Sequence, residues 1–414
     1  MSTSAKRVGE LLETYAAMSD PDSGPGVTRL SYTPLERDAH DFFRDRLESL
    51  GLTVTVDPVG NTIAELPGSD PSLPAIGTGS HLDSVPNAGA FDGIVGVVGA
   101  MVAAETLAAG ERLRHPVRFV VFTAEEGARW GQACSGSRMC AGQLDRGRLD
   151  TLTDKDGITL AEAMRDLDLD PDRVGEAAWR PEDWAAFVEL HIEQGASLDA
   201  LGVQIGLVDV ISGSSRLQIT LTGRASHTGG TPMHLRADAA AGAAEIVLTA
   251  EALANSAPHR GTRMTASRLD VFPNSITTIP GVVTLQVDVR DVDDLRQREA
   301  ADELVDRAVA IAEARGLGIE VGVLGDVSPT LLPIPIRDVT AAAAAEAGAS
   351  YRVMPSGASH DSQVINSVCP AGMIFVPSLN HGVSHAPEEL SRYEDIALGV
   401  DVLIGSIRRL DAAI

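Results

Sequence analysis

The chain has 414 residues, more than one typical hydrophobic core organises, so two domains are expected. A formal net charge of -25 argues against a nucleic-acid-binding surface, which needs a basic stripe. No apolar run approaches the roughly 18 residues that span a bilayer, and the N-terminus leads into a charged amphipathic segment. The three cysteines form no disulfide framework pattern. We expect a cytoplasmic protein without nucleic-acid or membrane partners.

Predicted helices and strands alternate through the first half of the chain. Such alternation predicts a mainly parallel sheet, and sites in parallel sheets form at the carboxyl ends of the strands. The predicted elements are helices over 7–18 and 33–50 (with Thr33 as N-cap), a strand over 52–56, a buried helix over 94–107, and central strands over 118–122 and 186–191.

The pattern changes near Ser212, where alternating strands combine with two long helices in a smaller α+β block. We predict an inserted domain, so that the chain divides into 1–211, 212–328 and 329–414. The elements predicted in the last two segments are strands over 217–221, 282–289 and 319–323, and helices over 237–254, 295–315 and 336–347.

Histidine, aspartate or glutamate follows four apolar runs of the sequence. A hydrolytic two-metal site needs a bridging carboxylate, further ligands for each metal and a base. A lone histidine after a strand is usually structural, and adjacent glutamates usually form a solvated turn. Their joint placement at successive strand ends carries the prediction. The candidate ligands are His81, Asp92, Glu126, His191 and His385.

Two further residues have predicted supporting roles beside these ligands. Glu125 is adjacent to Glu126, so its side chain points elsewhere, which suits a general base. Asp83 lies two residues after His81 and would share its face on a strand end. It would accept the imidazole N–H and fix the tautomer of His81.

Six motifs together resemble the family of N-carbamoyl-L-amino-acid hydrolases, β-ureidopropionases and allantoate amidohydrolases. This family is the amidase branch of a larger superfamily of dinuclear-metal aminopeptidases and aminoacylases. The resemblance implies a mainly parallel-sheet α/β catalytic domain with an inserted α+β lid and dimerisation domain. The motifs are GSHLDSVPNAGAFDG, TAEEGARWG, ELHIEQG, GRASHTGGTPMHLRADA, MPSGASHDSQ and VPSLNHGVSHAPEE.

The resemblance also implies specific roles at the metal site. His81 and His191 would bind one metal, Glu126 and His385 the other, and Asp92 would bridge them. Glu125 would act as general base and then as general acid. The metals would be two divalent ions, zinc, manganese, cobalt or nickel, because no cysteine is among the ligands. A homodimer through the inserted domain is expected.

Substrate contacts are implied for several other motif positions. Gln194 would contact the carbamoyl or ureido group, and His227 would polarise the scissile carbonyl. Arg290 would hold the substrate carboxylate, and His360 would also contact substrate. By residue type alone, His227 would be a surface histidine, and Arg290 would have even odds of forming a surface ion pair. His234 and Arg236 are expected to order the lid loop.

Two positions depart from the family pattern within the substrate contacts. Thr277 stands where family members generally carry asparagine, and a hydroxyl has one donor where an amide has two. Ser359 replaces a glycine before His360. Hydrolysis is therefore better supported than any one substrate.

The leading hypothesis is hydrolysis of a linear C–N bond in an N-carbamoyl-L-amino acid or a related ureido acid. An aminoacylase or dipeptidase is the enzyme alternative, against which His191 and Gln194 argue. A non-catalytic binding protein is the third possibility, and the complete ligand set argues against it.

Overall fold

The structure is a computed structural model that describes residues 3–414 of the chain. It divides into two compact units. The first comprises the chain up to Asp209 together with Leu331–Ile414, and the second is Val210–Thr330. The segment 212–328, predicted to be inserted, lies within the second unit.

The helices and strands follow one another in this order. The α-helices are α1 (Ala5–Ala17), α2 (Pro34–Glu48), α3 (Ile94–Ala108), α4 (Ser135–Cys140), α5 (Arg146–Leu149), α6 (Leu160–Arg165), α7 (Ser197–Leu201), α8 (Ala239–Ala254), α9 (Asp294–Arg315), α10 (Ile334–Glu346), α11 (Asp361–Ile365) and α12 (Tyr393–Ala413). The strands are β1 (Thr53–Val56), β2 (Thr62–Leu66), β3 (Ala75–His81), β4 (Val117–Phe122), β5 (Trp184–Ile192), β6 (Ile205–Ile211), β7 (Gly213–Thr222), β8 (Ser226–His227), β9 (Arg263–Phe272), β10 (Thr278–Ile279), β11 (Val282–Asp291), β12 (Gly318–Val327), β13 (Thr330–Leu331), β14 (Tyr351–Ser356) and β15 (Ala371–Val376).

The sheet of the first unit has the strand order β1-β2-β4-β3-β5-β15-β6-β13, and β14 also pairs with β6. Its four central neighbours, β4, β3, β5 and β15, run parallel. On either side, β2 and β6 pair antiparallel with β4 and β15. This confirms the predicted mainly parallel sheet. The carboxyl ends of the four parallel strands consequently meet at one edge.

Burial explains why the central strands read as almost continuous apolar runs. Every residue of β3 and β15 is buried, as is nearly every residue of β5, because helices or connecting segments cover both faces. The predicted buried helix is confirmed as α3, which packs against β3 and α12 within the main core. Its first residue, Ile94, follows the Asp92-Gly93 turn, so the packing of α3 fixes where Asp92 lies.

The two predicted N-terminal helices are confirmed as α1 and α2. The Thr33 hydroxyl accepts a hydrogen bond from the Glu36 N–H at 3.3 Å, which caps α2 as predicted. Among residues 3–414, no helix is long and apolar enough to cross a membrane.

The second unit contains an antiparallel sheet in the order β12-β7-β11-β9. Alternate residues of β7 and β11 are buried, including Leu217, Ile219 and Leu285, and they form a core with α8 and α9. A separate two-stranded ribbon pairs β8 with β10 and places His227 opposite Thr278.

Candidate metal centre

Three buried side chains from three loops or strand ends form the first half of the candidate site. His81 is the last residue of β3, His191 lies near the end of β5, and Asp92 lies in the turn before α3. Asp92 Oδ1 lies 3.2 Å from His191 Nε2 and 3.8 Å from His81 Nε2. One ligand atom from each of these residues lies within 4.8 Å of the others, close enough to hold one metal ion.

The second half of the site uses the other oxygen of the same aspartate. His385 Nε2 lies 3.3 Å from Asp92 Oδ2 and 3.2 Å from Glu126 Oε2. These three residues also bring their ligand atoms within 4.8 Å of one another. Asp92 therefore faces one histidine pair with Oδ1 and the His385–Glu126 pair with Oδ2. This is the arrangement that a carboxylate bridging two cations requires.

The donor set fits divalent cations. Glu126 Oε1 is buried and, within the described chain, makes no hydrogen bond, so this carboxylate has a free acceptor at the site. Carboxylates and imidazoles without thiolate ligands suit zinc and other first-row divalent metals.

The pKa values of the site groups show that the cluster stabilises positive charge. Burial disfavours ionisation of Asp92, but hydrogen bonds from His191 and His385 in their protonated forms outweigh it, so its pKa lies well below the ordinary value. The hydrogen bond to Asp92, followed by that to Glu126, raises the pKa of His385 to about 11. A divalent cation supplies such positive charge.

The tautomers of the two buried histidines follow from their main-chain contacts. His191 Nδ1 lies 2.9 Å from the carbonyl oxygen of Ile192, so it carries the proton and donates. In the neutral ring Nε2 then carries the lone pair, which accepts the N–H of Gly93 at 3.2 Å, and Nε2 lies 3.2 Å from Asp92 Oδ1. His81 Nδ1 lies 3.1 Å from the main-chain oxygen of Asp83, so its Nε2 also faces Asp92.

Asp83 lies in the turn after β3, because the strand ends at His81. That the Asp83 carboxylate accepts the His81 N–H and fixes its tautomer stays a prediction. The Asp83 carboxylate lies 3.5 Å from His81 Nδ1, farther than the main-chain oxygen of Asp83. It accepts hydrogen bonds from the N–H groups of Glu125 at 2.9 Å and Glu126 at 3.2 Å. Asp83 thus ties the turn that carries both glutamates to the end of β3.

Glu125 occupies a separate position in the same cluster. Its Oε2 lies 3.8 Å from His81 Nε2, and its Oε1 accepts a hydrogen bond from the Cys134 thiol at 3.0 Å. The side chain is buried, and burial raises its pKa to about 7. Glu125 is absent from the two groups of three ligands described above.

Gln194 and His360 also lie at this edge of the first unit. Gln194 Nε2 donates to Asp92 Oδ2 at 2.5 Å. Its Oε1 is buried, and no atom of residues 3–414 makes a hydrogen bond to it. The His360 ring lies 4.5 Å from the His191 ring in an edge-to-face arrangement, and the neighbouring Ser359 is partly exposed. The structure thus brings both predicted substrate residues beside ligand candidates.

Three other predicted substrate residues lie in the second unit. His227 is exposed, and its Nδ1 accepts hydrogen bonds from the N–H groups of Gly229 and Gly230 at 3.1 Å each. Its Nε2 is therefore the protonated nitrogen and can donate. The carbonyl oxygen of Thr277 accepts from the Thr228 N–H at 3.0 Å, which places Thr277 beside the His227 loop.

The remaining predicted residues of the second unit make local contacts. Arg290 donates from Nε to Asp288 Oδ2 at 2.9 Å. Arg236 donates to the main-chain oxygens of Thr228 and Thr231, which orders the loop that follows His227. His234 is exposed in a short 3₁₀ turn, Met233–Leu235.

Sequence reasoning missed two polar residues of this edge, Glu189 and Ser384. Glu189 is fully buried, and it accepts hydrogen bonds from the Ser80 hydroxyl and the Ser362 N–H. Ser384 donates towards Asp92 Oδ2 at 3.0 Å. Ser384 directly precedes His385, and Glu189 lies two residues before His191, each within one of the family motifs. Closeness to a ligand candidate in the motif was therefore the sequence signal that could have identified them.

A methyl group at Gly93 is expected to disturb the site. Gly93 has φ +69°, and a Cβ there would clash with the His81 ring. We expect Gly93→Ala to weaken zinc binding by about 10- to 100-fold, as for other losses of ligand support, measured by competition with a chromophoric chelator. Gly131→Ala is the matched control, because Gly131 has φ +71° and open space around its Cβ. Equal zinc affinity in the two variants would contradict this prediction.

Together, the parallel sheet and the paired histidine and carboxylate clusters at its carboxyl edge form a site that could hold divalent metals, as in the class of metal-using hydrolases. Residues 77–409 match the model of Peptidase family M20/M25/M40. The chain belongs to this family and, within it, to the carbamoylase and allantoate amidohydrolase branch that its motifs resemble.

Comparisons with individual proteins agree with that assignment. The chain is 39% identical over 407 residues to the N-carbamoyl-L-amino acid amidohydrolase of Geobacillus stearothermophilus, covering 98% of each chain. It is 32% identical over 391 residues to the allantoate amidohydrolase of Escherichia coli, covering 92% of each. The crystal structure of AtUAH in complex with glyoxylate matches with a TM-score of 0.92 and 33% identity, covering 100% of this chain and 99% of that one. The chain is therefore a hydrolase, and these relatives support action on ureido-type C–N bonds.

Proposed function

We propose that this enzyme hydrolyses the linear C–N bond of an N-carbamoyl-L-amino acid or a related ureido acid such as ureidopropionate, allantoate or ureidoglycolate. For a carbamoyl amino acid, one water is consumed and the products are the amino acid, ammonia and carbon dioxide. The observation that carries the proposal is Asp92, whose two oxygens each face a separate set of ligand candidates.

In this proposal, His81 and His191 would hold one divalent cation, Glu126 and His385 would hold the other, and Asp92 would be a ligand shared by both. Zinc, manganese, cobalt and nickel all suit these ligands. Bound cations would lower the pKa of the attacking water and polarise the scissile carbonyl. The main-chain carbonyl contacts of both buried histidines support the assignment, because they occupy each Nδ1 and leave Nε2, on the side of Asp92, as the nitrogen that would bind a cation.

Glu125 is the proposed general base and acid. It accepts a proton from the attacking water and then delivers it to the leaving nitrogen. Its position supports this role, because the buried side chain lies 3.8 Å from His81 Nε2 yet belongs to neither ligand group. Asp83 is the proposed positioning residue for this step, since it binds the main-chain N–H of Glu125.

Substrate recognition is proposed for six residues. Gln194 Oε1 is a buried acceptor suited to the N–H groups of a ureido substrate. His227 would donate from Nε2 to the scissile carbonyl oxygen, and Arg290 would bind the substrate carboxylate, for which its pairing with Asp288 must adjust. Thr277, Ser359 and His360 complete the proposed substrate contacts.

The test compares substrates that differ by one group. The enzyme is stripped with a chelator, reloaded with zinc or manganese, and assayed for ammonia release from an N-carbamoyl-L-amino acid, ureidopropionate, allantoate and ureidoglycolate. The N-acetyl derivative of the same amino acid replaces the terminal amino group by a methyl group. We expect its kcat/KM to be about 10- to 100-fold lower, because Gln194 Oε1 would be left unpaired.

The same assay separates the alternatives. Release of the amino acid from the N-acetyl derivative, with no ammonia from any ureido acid, would make the enzyme an aminoacylase and refute the proposal. The homodimer through residues 212–328, the lid role of that segment and the cytoplasmic location stay predictions.

A further inference from the structure

Glu389 is a buried carboxylate that the proposed chemistry leaves without a role. Its side chain is 4% exposed, and it lies four residues after His385. Its Oε1 accepts hydrogen bonds from the main-chain N–H groups of Phe91 at 2.9 Å and Asp92 at 3.1 Å. Its Oε2 lies 2.6 Å from the Ser384 hydroxyl, which donates to it. One carboxylate thus binds two segments that are almost 300 residues apart in the chain.

These two segments carry ligand candidates of both halves of the metal centre. The turn at Phe91–Asp92 presents the carboxylate that faces both ligand groups, and Ser384 directly precedes His385. The turn also approaches Glu389 so closely that a Cβ at Gly89 would clash with the Glu389 side chain. Glu389 therefore connects the main chain at Phe91–Asp92 to the side chain of the residue that precedes His385.

The Ser384 hydroxyl adds a second connection between the same groups. Its Oγ lies 2.6 Å from Glu389 Oε2 and 3.0 Å from Asp92 Oδ2. A hydroxyl has one proton, so it donates to only one of these carboxylates at a time. The three side chains form a continuous polar link from Glu389 to Asp92 Oδ2, the oxygen that faces His385.

We propose that Glu389 is a positioning residue that holds Asp92 and His385 at the separation required for the second cation. The inference rests on the proposed metal centre and adds a residue outside its ligand set. Metal ligands must be held within about 0.5 Å of the productive geometry, and partners that orient ligands typically change metal affinity by about 10- to 100-fold. Glu389 acts through main-chain N–H groups and a hydroxyl, so it affects the cation without contacting it.

Three substitutions at position 389 distinguish the effect of side-chain length from the effect of negative charge. Glu389→Ala removes all three contacts, and Glu389→Asp keeps the charge but shortens the side chain by one methylene. Glu389→Gln keeps the length: its Oε1 can accept from both N–H groups, and its Nε2 can donate to Ser384, which then donates to Asp92. We expect the alanine and aspartate variants to bind the more weakly held zinc ion about 10- to 100-fold less tightly. The glutamine variant should stay within about threefold of the wild-type enzyme, as one acceptor and one donor replace equivalent contacts.

Glu388→Ala is the matched control, because this adjacent glutamate is exposed. Zinc dissociation constants are measured by titration of the chelator-treated enzymes. Circular dichroism of the same metal-free samples reports whether each variant is folded. If the alanine variant does not fold, the aspartate and glutamine variants still decide the question.

The outcomes distinguish this inference from the metal centre itself. Failure of the wild-type enzyme to bind two zinc ions would refute the metal centre. If the wild-type enzyme binds two ions, an unchanged zinc affinity in folded Glu389→Asp would overturn the role of Glu389 alone. A loss in Glu388→Ala as large as that in Glu389→Asp would overturn it too, as would failure of Glu389→Gln to retain affinity.

Discussion

Glu125→Gln is expected to lower kcat by about 10²- to 10⁴-fold, the usual contribution of a general acid–base group. The amide has nearly the same shape as the carboxylate, but it cannot accept the proton of the attacking water. Glu125 belongs to neither of the two ligand groups, so the metal content should stay unchanged. Ammonia release under saturating substrate gives kcat, and elemental analysis of the same sample gives the metal content.

Glu126→Gln is the natural comparison, because the two glutamates are adjacent and have different proposed roles. Glu126 faces His385 at 3.2 Å and carries the unpaired buried oxygen, so its substitution should weaken metal binding. A Glu125→Gln enzyme that retains its metal but loses kcat would support the base assignment. Loss of metal to the same extent in both variants, or a kcat within tenfold of wild type for Glu125→Gln, would refute it.

Asp92→Ala is expected to remove both cations and with them the activity. Each ligand group contains Asp92, so one substitution takes an oxygen from both. Outer contacts of metal ligands already change affinity by about 10- to 100-fold, so loss of a shared ligand should cost at least about 100-fold for each ion. Zinc titration measures this loss, and treatment of the wild-type enzyme with a chelator should reproduce the loss of activity.

Asp156→Ala provides a control at an exposed aspartate. Asp92→Asn gives a finer test, because the amide has one oxygen ligand where the carboxylate has two. It should retain more of one cation than of the other. If the Asp92→Ala enzyme still turns over substrate and a chelator does not change its activity, the metallohydrolase mechanism is ruled out.

The strand ends were the most predictable part of the site. Buried parallel strands have apolar sequences that stop abruptly, so the polar residues after 119–122 and 187–190 were visible without a structure. The parallel pairing of β3, β4, β5 and β15 then brings those ends together. The mainly parallel sheet was predictable for the same reason, because helices alternate with strands along the chain.

Contacts made by individual side chains were less predictable. Asp83 was placed on a strand face with His81, but β3 ends at His81, two residues before Asp83, and the Asp83 carboxylate accepts from the N–H groups of Glu125 and Glu126. Strand ends are set by where the main chain leaves the sheet, which a local sequence pattern locates only to within a few residues. The Arg290–Asp288 pair follows from alternation along β11, which puts both side chains on one face.

Glu388 and Glu389 show the limit of the sequence most directly. They are adjacent, identical letters of one motif, yet one is exposed and the other is buried against Phe91 and Asp92. The sequence by itself determined the family, the sheet type and the set of histidines and carboxylates, because motifs and periodicity are local properties. Only the tertiary structure decided which oxygen of Asp92 faces which histidine and which glutamate supports it. Those relations join residues up to 298 positions apart, and packing alone brings them into contact.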